Sequence, residues 1–219
     1  MNRKQYEKLI SAELGESFLK KALTGIYVGF REAADYCKSH YGSFEAANLE
    51  PHIRRANIEK NVRGTAEMVE GVSVLTERPG GTPWYHIEIA AGSLLLTTSA
   101  VQCPGAAVNY AKFRQFNANP QLRFEELEGA ATNEPRQHYA VLTYSPFTSS
   151  NPEELIKLGH LPGSVYIGFP SPDLKKYLYL DNLLERFPDT VKQHIPVEID
   201  EAMLAIYIER SRAVRYRAA

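Results

Sequence analysis

Residues 82–101 read Thr-Pro-Trp-Tyr-His-Ile-Glu-Ile-Ala-Ala-Gly-Ser-Leu-Leu-Leu-Thr-Thr-Ser-Ala-Val. Side chains alternate between the faces of a strand, so Tyr85, Ile87 and Ile89 share one face, and Trp84, His86 and Glu88 share the other. A two-residue turn at Ala91-Gly92 pairs Ile89 with Leu94, Ile87 with Leu96 and Tyr85 with Thr98, which builds one continuous apolar face. The same register sets His86 opposite Thr97 and Glu88 opposite Leu95. A three-residue loop with Gly92 in a bulge is the competing register; it relieves the strain of a positive φ at Ala91 but shifts the pairing by one.

Working outward from this hairpin, Gly71–Thr76 has strand composition, and Arg78-Pro-Gly-Gly-Thr-Pro is a turn-prone connection. Together they predict a three-stranded antiparallel meander. Toward the N-terminus the period changes from two to nearly four. Phe18, Ala22, Ile26, Phe30, Ala33, Cys37 and Tyr41 lay one stripe along a helix within residues 2–42, with Gly42 as its stop and Gly25 and Gly29 as candidate breaks. Cys37 sits within that stripe and reads as a buried thiol. Pro51 is suited to a first helical position and predicts a second helix from Pro51 to about Met68. That helix carries His52, Arg54, Arg55, Lys60 and Arg63 against Glu59 and Glu67, beside a narrow apolar stripe of Ile58, Val62 and Ala66.

Beyond the hairpin, Ala106–Asn117 has a helical pattern, with Tyr110 and Phe113 expected against a core and Lys112 and Arg114 between the aromatics. Phe124–Gly129 and Ala130–Pro135 read as a surface connection. His138–Tyr144 suggests a strand covered on both faces, Ser150-Asn-Pro-Glu-Glu opens a short helix ended by Gly159, and Gly163–Phe169 is another strand. Tyr177–Leu180 fits either a helix or a strand, with Asp181 capping a new helix after it. Pro196–Ile199 reads as a short extended piece. A last helix runs from Asp200 through Met203, Leu204, Tyr207 and Ile208 into Arg210, Arg212, Arg215 and Arg217, cations that complement a helix C-terminus.

These elements predict the α+β class: a helical N-terminal layer packed on a mostly antiparallel sheet, with further helices in the C-terminal half. They fit a single domain over 1–219, helical to about residue 70 and mixed from 71 onward. A formal net charge of −1 argues against overall attraction to nucleic acid or an anionic membrane, leaving only local patches. The polar N-terminus and the lack of a long apolar run suggest a cytoplasmic protein with no membrane segment. Cys37 and Cys103, the two cysteines, make no zinc site by themselves, and no metal or cofactor is expected.

Chemistry concentrates on His86 and Glu88, which share a strand face as a base and its neighbouring carboxylate would. Glu88-Ile-Ala lacks the lysine of a Glu-x-Lys nuclease strand. Ser145-Pro-Phe-Thr-Ser-Ser is no Gly-x-Ser-x-Gly elbow, and no phosphate-binding loop or dinucleotide fingerprint occurs. The first functional reading is therefore a non-enzymatic interaction or regulatory protein. It would bind a protein partner, a second copy, or nucleic acid through Arg54, Arg55, Arg63, Lys112, Arg114, Arg212 and Arg215. The alternatives are a hydrolase, phosphodiester-directed, that uses His86 and Glu88 with arginines of the second helix, and a small-ligand sensor with its pocket between sheet and helices.

Overall fold

The alternation of apolar and polar side chains at His86–Ala91 builds the centre of a sheet with two different faces. A computed structural model describes residues 1–77, 85–119 and 138–212. Among them are six strands: β1 (Val72–Glu77), β2 (His86–Ala91), β3 (Leu94–Ala100), β4 (His138–Pro146), β5 (Pro162–Pro170) and β6 (Tyr177–Asn182). They form one sheet in the order β1-β2-β3-β4-β5-β6, antiparallel at every step except β3–β4, which is parallel. Eight helices accompany them: α1 (Arg3–Glu13), α2 (Gly15–His40), α3 (Ser43–Ala66), α4 (Lys112–Ala118), α5 (Pro152–Leu158), α6 (Leu183–Arg186), α7 (Pro188–His194) and α8 (Glu201–Arg210). The α+β class and the meander β1–β2–β3 are as the sequence predicts.

The hairpin register differs by a slide of two. Ile89 pairs with Leu96 and Ala91 with Leu94, so the turn is Gly92-Ser93 rather than Ala91-Gly92. A slide of two keeps every side chain on its expected face, which is why the apolar pattern alone could not separate the two registers. Backbone sterics separate them. Gly92 takes a φ of 52° at the first central position, where a two-residue turn calls for glycine. The turn is clasped from α1, since the backbone N–H and hydroxyl of Ser93 both donate to Glu13 Oε1, at 3.3 and 2.8 Å.

One sheet face carries Ile87, Ile89, Leu94, Leu96, Ala140, Leu142, Val165 and Ile167 into a core shared with Phe18, Leu23, Ile26 and Phe30 of α2 and Ile58 and Val62 of α3. Hydrophobic burial of this face holds the helical layer on the sheet. The predicted break at Gly25 and Gly29 does not occur. The chain divides at Leu14–Gly15 instead, and the two inner glycines let α3 approach, a Cβ at Gly29 falling 2.6 Å from Ile58 Cγ1. Helix α3 begins at Ser43, eight residues before the expected Pro51, which lies within it. Proline suits a helix start; inside α3, Pro51 leaves the carbonyl four residues before it without the helical hydrogen bond that a proline cannot donate.

Further corrections are local. Ala106–Ala111 precede the helix predicted to include them, and α4 starts only at Lys112. Tyr177–Asn182 is a strand, and Asn182 rather than Asp181 caps the helix after it, its side chain accepting from the Leu184 N–H. Residues 196–199 close a turn, the Ile199 N–H donating to the Pro196 carbonyl at 3.0 Å. The Arg78–Pro83 connection, Trp84, Phe124–Pro135 and Arg215 with Arg217 lie outside the described residues. No helix among the described residues is long and apolar enough to cross a membrane.

Two histidines at the α2 side of the core give the fold an acid sensitivity. His160 and His194 both titrate below the ordinary 6.5, chiefly because burial penalises the charged ring, with Arg31 adding to it at both sites and Asp35 opposing it at His160. His194 stacks on Tyr27 with ring centroids 5.0 Å apart. The unfolded chain takes up these protons more readily than the folded one. Their contribution is therefore fully present above the unfolded value and is lost as pH falls through the folded values. The urea midpoint is expected to drop between about pH 7.5 and about pH 5.5, with part of the drop removed in His194→Gln. An unchanged or rising midpoint in the wild type contradicts this assignment.

Candidate functional site

His86 opens β2, and its register sets it at one end of the sheet. Continuing the β2–β3 pairing past Glu88↔Thr97 brings His86 level with Ser99, which is level with Thr143, while Ala100 is level with Tyr144. This is the end where the two parallel strands, β3 and β4, have their carboxyl termini.

His86 and Glu88 share a face as expected, and they touch. The His86 Nε2 lies 3.0 Å from Glu88 Oε1, with the two side chains 6 % and 17 % exposed. The Asn117 amide donates to the same carboxylate oxygen at 3.3 Å. The Phe113 ring covers His86 in a near-parallel stack, with centroids 4.0 Å apart. With Nε2 engaged by Glu88, the other ring nitrogen, Nδ1, is buried without a hydrogen-bond partner. Phe113 and Asn117 occur in the segment 106–117, and spacing alone did not mark them as neighbours of His86. Both are brought there by α4.

Four of the five buried side-chain polar atoms that lack a hydrogen-bond partner among the described residues belong to this region: His86 Nδ1, Arg114 Nε, Arg54 Nε and the Tyr144 hydroxyl. The fifth, the Tyr179 hydroxyl, does not. Buried polar groups are ordinarily satisfied, so a cluster of such atoms calls for an explanation. Arg114 packs over Phe113, its guanidinium carbon 5.0 Å from the ring centroid, and donates from Nη1 to the Asn109 carbonyl at 3.0 Å. Burial lowers its pKa, with nearby Arg55 adding to the effect and Tyr139 opposing it. No carboxylate among the described residues pairs with it. On the other side of the sheet end, Arg54 lies over Phe30 at 4.5 Å, and Phe30 meets the Tyr144 ring edge-on at 6.0 Å. Arg55 spans the gap, donating from Nη2 to the Tyr85 carbonyl at 2.9 Å, one residue from His86. Burial raises the pKa of Tyr144, with Glu59 adding and Arg55, Arg54 and Arg114 opposing. Tyr144 is thus a neutral phenol, able to donate, in the field of three arginines. Beneath Arg114, Tyr139 is pushed up to about 12, mainly by burial, and its hydroxyl lies 2.8 Å from that of Thr97.

The remaining basic residues are arranged otherwise. Arg54 pairs with Glu50, Arg55 with Glu59 at 3.0 Å, Arg63 with Glu67 at 3.7 Å, and Arg212 with Glu185 at 2.6 Å. At the end of α8, Arg210 pairs with the buried Glu154 at 2.9 Å. Lys112 is exposed on α4, apart from this network, and Tyr110, expected in the core, is 65 % exposed. Arg55 reaches the Tyr85 carbonyl beside His86 and Arg114 packs on Phe113, whereas Arg63 and Arg212 make their ion pairs elsewhere. Two open clefts lined by described residues, of about 510 and 370 Å³, meet at Arg186 and lie elsewhere. No group of three or more His, Cys, Asp or Glu among the described residues is placed to hold a metal ion.

The arrangement offers several donors with positive charge, and one histidine nitrogen oriented by a carboxylate. No protein-family model matches this sequence, and neither a curated protein nor a solved structure matches it.

Proposed function

We propose that this protein binds a phosphate ester at the carboxyl ends of β3 and β4 and hydrolyses it. The observation that supports this reading is that one end of the sheet carries buried polar atoms without partners on both faces, His86 Nδ1 and Arg114 Nε on the α4 side and Arg54 Nε and the Tyr144 hydroxyl on the side of α2 and α3. Three are donors suited to phosphoryl oxygens, and two of these are guanidinium groups. In this reading His86 Nδ1 takes the proton from a water as its oxygen attacks phosphorus. The bond from phosphorus to the ester oxygen breaks, the leaving alkoxide takes a proton from solvent, and the proton held by His86 returns to solvent after release. Glu88 holds the Nε2–H, which fixes the tautomer and stabilises the imidazolium that forms. The arginines take the charge that builds on the phosphoryl oxygens.

Binding and turnover test this separately. Titrating inorganic phosphate by calorimetry is expected to show saturable binding that weakens about tenfold or more in Arg114→Ala, the loss of a charge-assisted contact. Hydrolysis of a chromogenic phosphodiester and a chromogenic monoester then reports turnover. Binding without turnover of either supports the ligand-sensor reading instead, and neither binding nor turnover overturns the proposal. The interaction-protein reading of the sequence rests on the basic residues, several of which are paired with carboxylates; a separate apolar surface is offered by the turn between α2 and α3, where Tyr36, Tyr41 and Phe44 are exposed.

A further inference from the structure

The tip of the α2–α3 hairpin stands apart from the core. Residues 38–45 are all exposed, although the stripe that precedes them on α2 is buried through Cys37. Exposed chain ends in folded proteins are ordinarily polar, yet this one carries Phe44 at 77 % exposure, Tyr36 at 44 %, Tyr41 at 38 % and Leu49 at 37 %. The aromatics are already ordered. Tyr36 stacks on His40 with centroids 4.3 Å apart and meets the Tyr41 ring edge-on at 6.1 Å, while His40 Nδ1 lies 2.9 Å from the Tyr36 carbonyl. Rigid tyrosines and a phenylalanine held at a surface are the residue types that anchor protein interfaces, because little rotamer freedom remains to be lost on binding.

The charges at the tip are complementary to themselves. The last turn of α2 carries Lys38 and His40, and the first turn of α3 carries Glu45. Neither Lys38 nor Glu45 forms an ion pair within the chain among the described residues. A two-fold axis maps each helix of one hairpin onto its counterpart, so a patch with a cation on one helix and an anion on the other meets its own complement twice. We infer that the hairpin tip is a homodimer interface, in which Phe44 and Tyr36 pack against their symmetry copies and Lys38 of each chain faces Glu45 of the other. Nucleic acid is a poor fit for the same surface, which is apolar at its centre and balanced in charge.

Sedimentation equilibrium of the whole protein over a range of concentrations tests this. The wild type is expected to fit a monomer–dimer equilibrium, and Phe44→Glu to raise the dimer dissociation constant by about tenfold or more. Because Phe44 is solvent-exposed, circular dichroism should show that the variant stays folded. Lys38→Glu and Glu45→Lys should each weaken the dimer, and the double swap should restore it, which a general loss of folding cannot mimic. A wild type that stays monomeric at every concentration overturns the inference. A dimer indifferent to Phe44→Glu and to the swap series also overturns it, by placing the interface elsewhere.

Discussion

His86→Ala is expected to lower phosphate-ester hydrolysis by about 10²–10⁴-fold, the usual contribution of a positioned general base. The physical reason is that His86 Nδ1 is the basic atom left over once Nε2 is committed to Glu88 at 3.0 Å. Phosphate affinity should change much less, because the phosphoryl contacts of the proposal come from Arg54, Arg114 and Tyr144. Glu88→Gln separates orientation from charge. It can still accept from Nε2–H, but it no longer stabilises an imidazolium, so kcat should fall with KM nearly unchanged. Phe113→Ala is the control for packing. It removes the ring stacked on His86 at 4.0 Å and leaves the base in place. If His86→Ala and Phe113→Ala lower turnover equally, His86 serves the packing of α4 and not proton transfer. Steady-state kinetics beside calorimetry on the same preparations distinguishes these outcomes.

The second large effect is on stability. Gly29→Ala is expected to destabilise the fold by about 1–3 kcal/mol, the cost of forcing a methyl group into a filled contact. Here a Cβ would meet Ile58 Cγ1 at 2.6 Å and the Ile58 backbone nitrogen at 2.9 Å. Ile58 is fully buried, and a helix backbone cannot move locally without shifting α3 as a whole. Gly64→Ala, in the same helix pair but with nothing within 4 Å of the added carbon, is the matched contrast. It should stabilise by about 0.5–1 kcal/mol through the lower backbone entropy of the unfolded chain. Chemical denaturation of both variants reads the difference directly. Equal effects of the two substitutions would mean that close approach of α2 and α3 does not limit stability.

Much of the fold is legible in the sequence because its signals are local. The period of two in Tyr85–Ile89 placed His86 and Glu88 on one face before any contact was known, and the four-residue stripe from Phe18 to Cys37 gave the buried side of α2, although Tyr41, expected to continue it, lies past the helix end and is exposed. Asn151 and Asp200 mark helix starts through side-chain oxygens that cap the next backbone N–H groups. Spacing could not supply the distance between segments. A slide of two along β2 and β3 leaves every face unchanged, so only the φ that Gly92 can adopt decides the turn. A glycine that breaks a helix and one that lets a second helix approach look alike until the neighbour is in place, as at Gly29 and Ile58. The candidate site shows the same division. The sequence by itself determined that His86 and Glu88 share a face and that the second helix carries Arg54 and Arg55. Only the tertiary structure brought Arg55 to the Tyr85 carbonyl, laid Phe113 over His86, and left Arg114 half-buried with no carboxylate partner among the described residues, because each of these depends on packing between residues far apart in the chain.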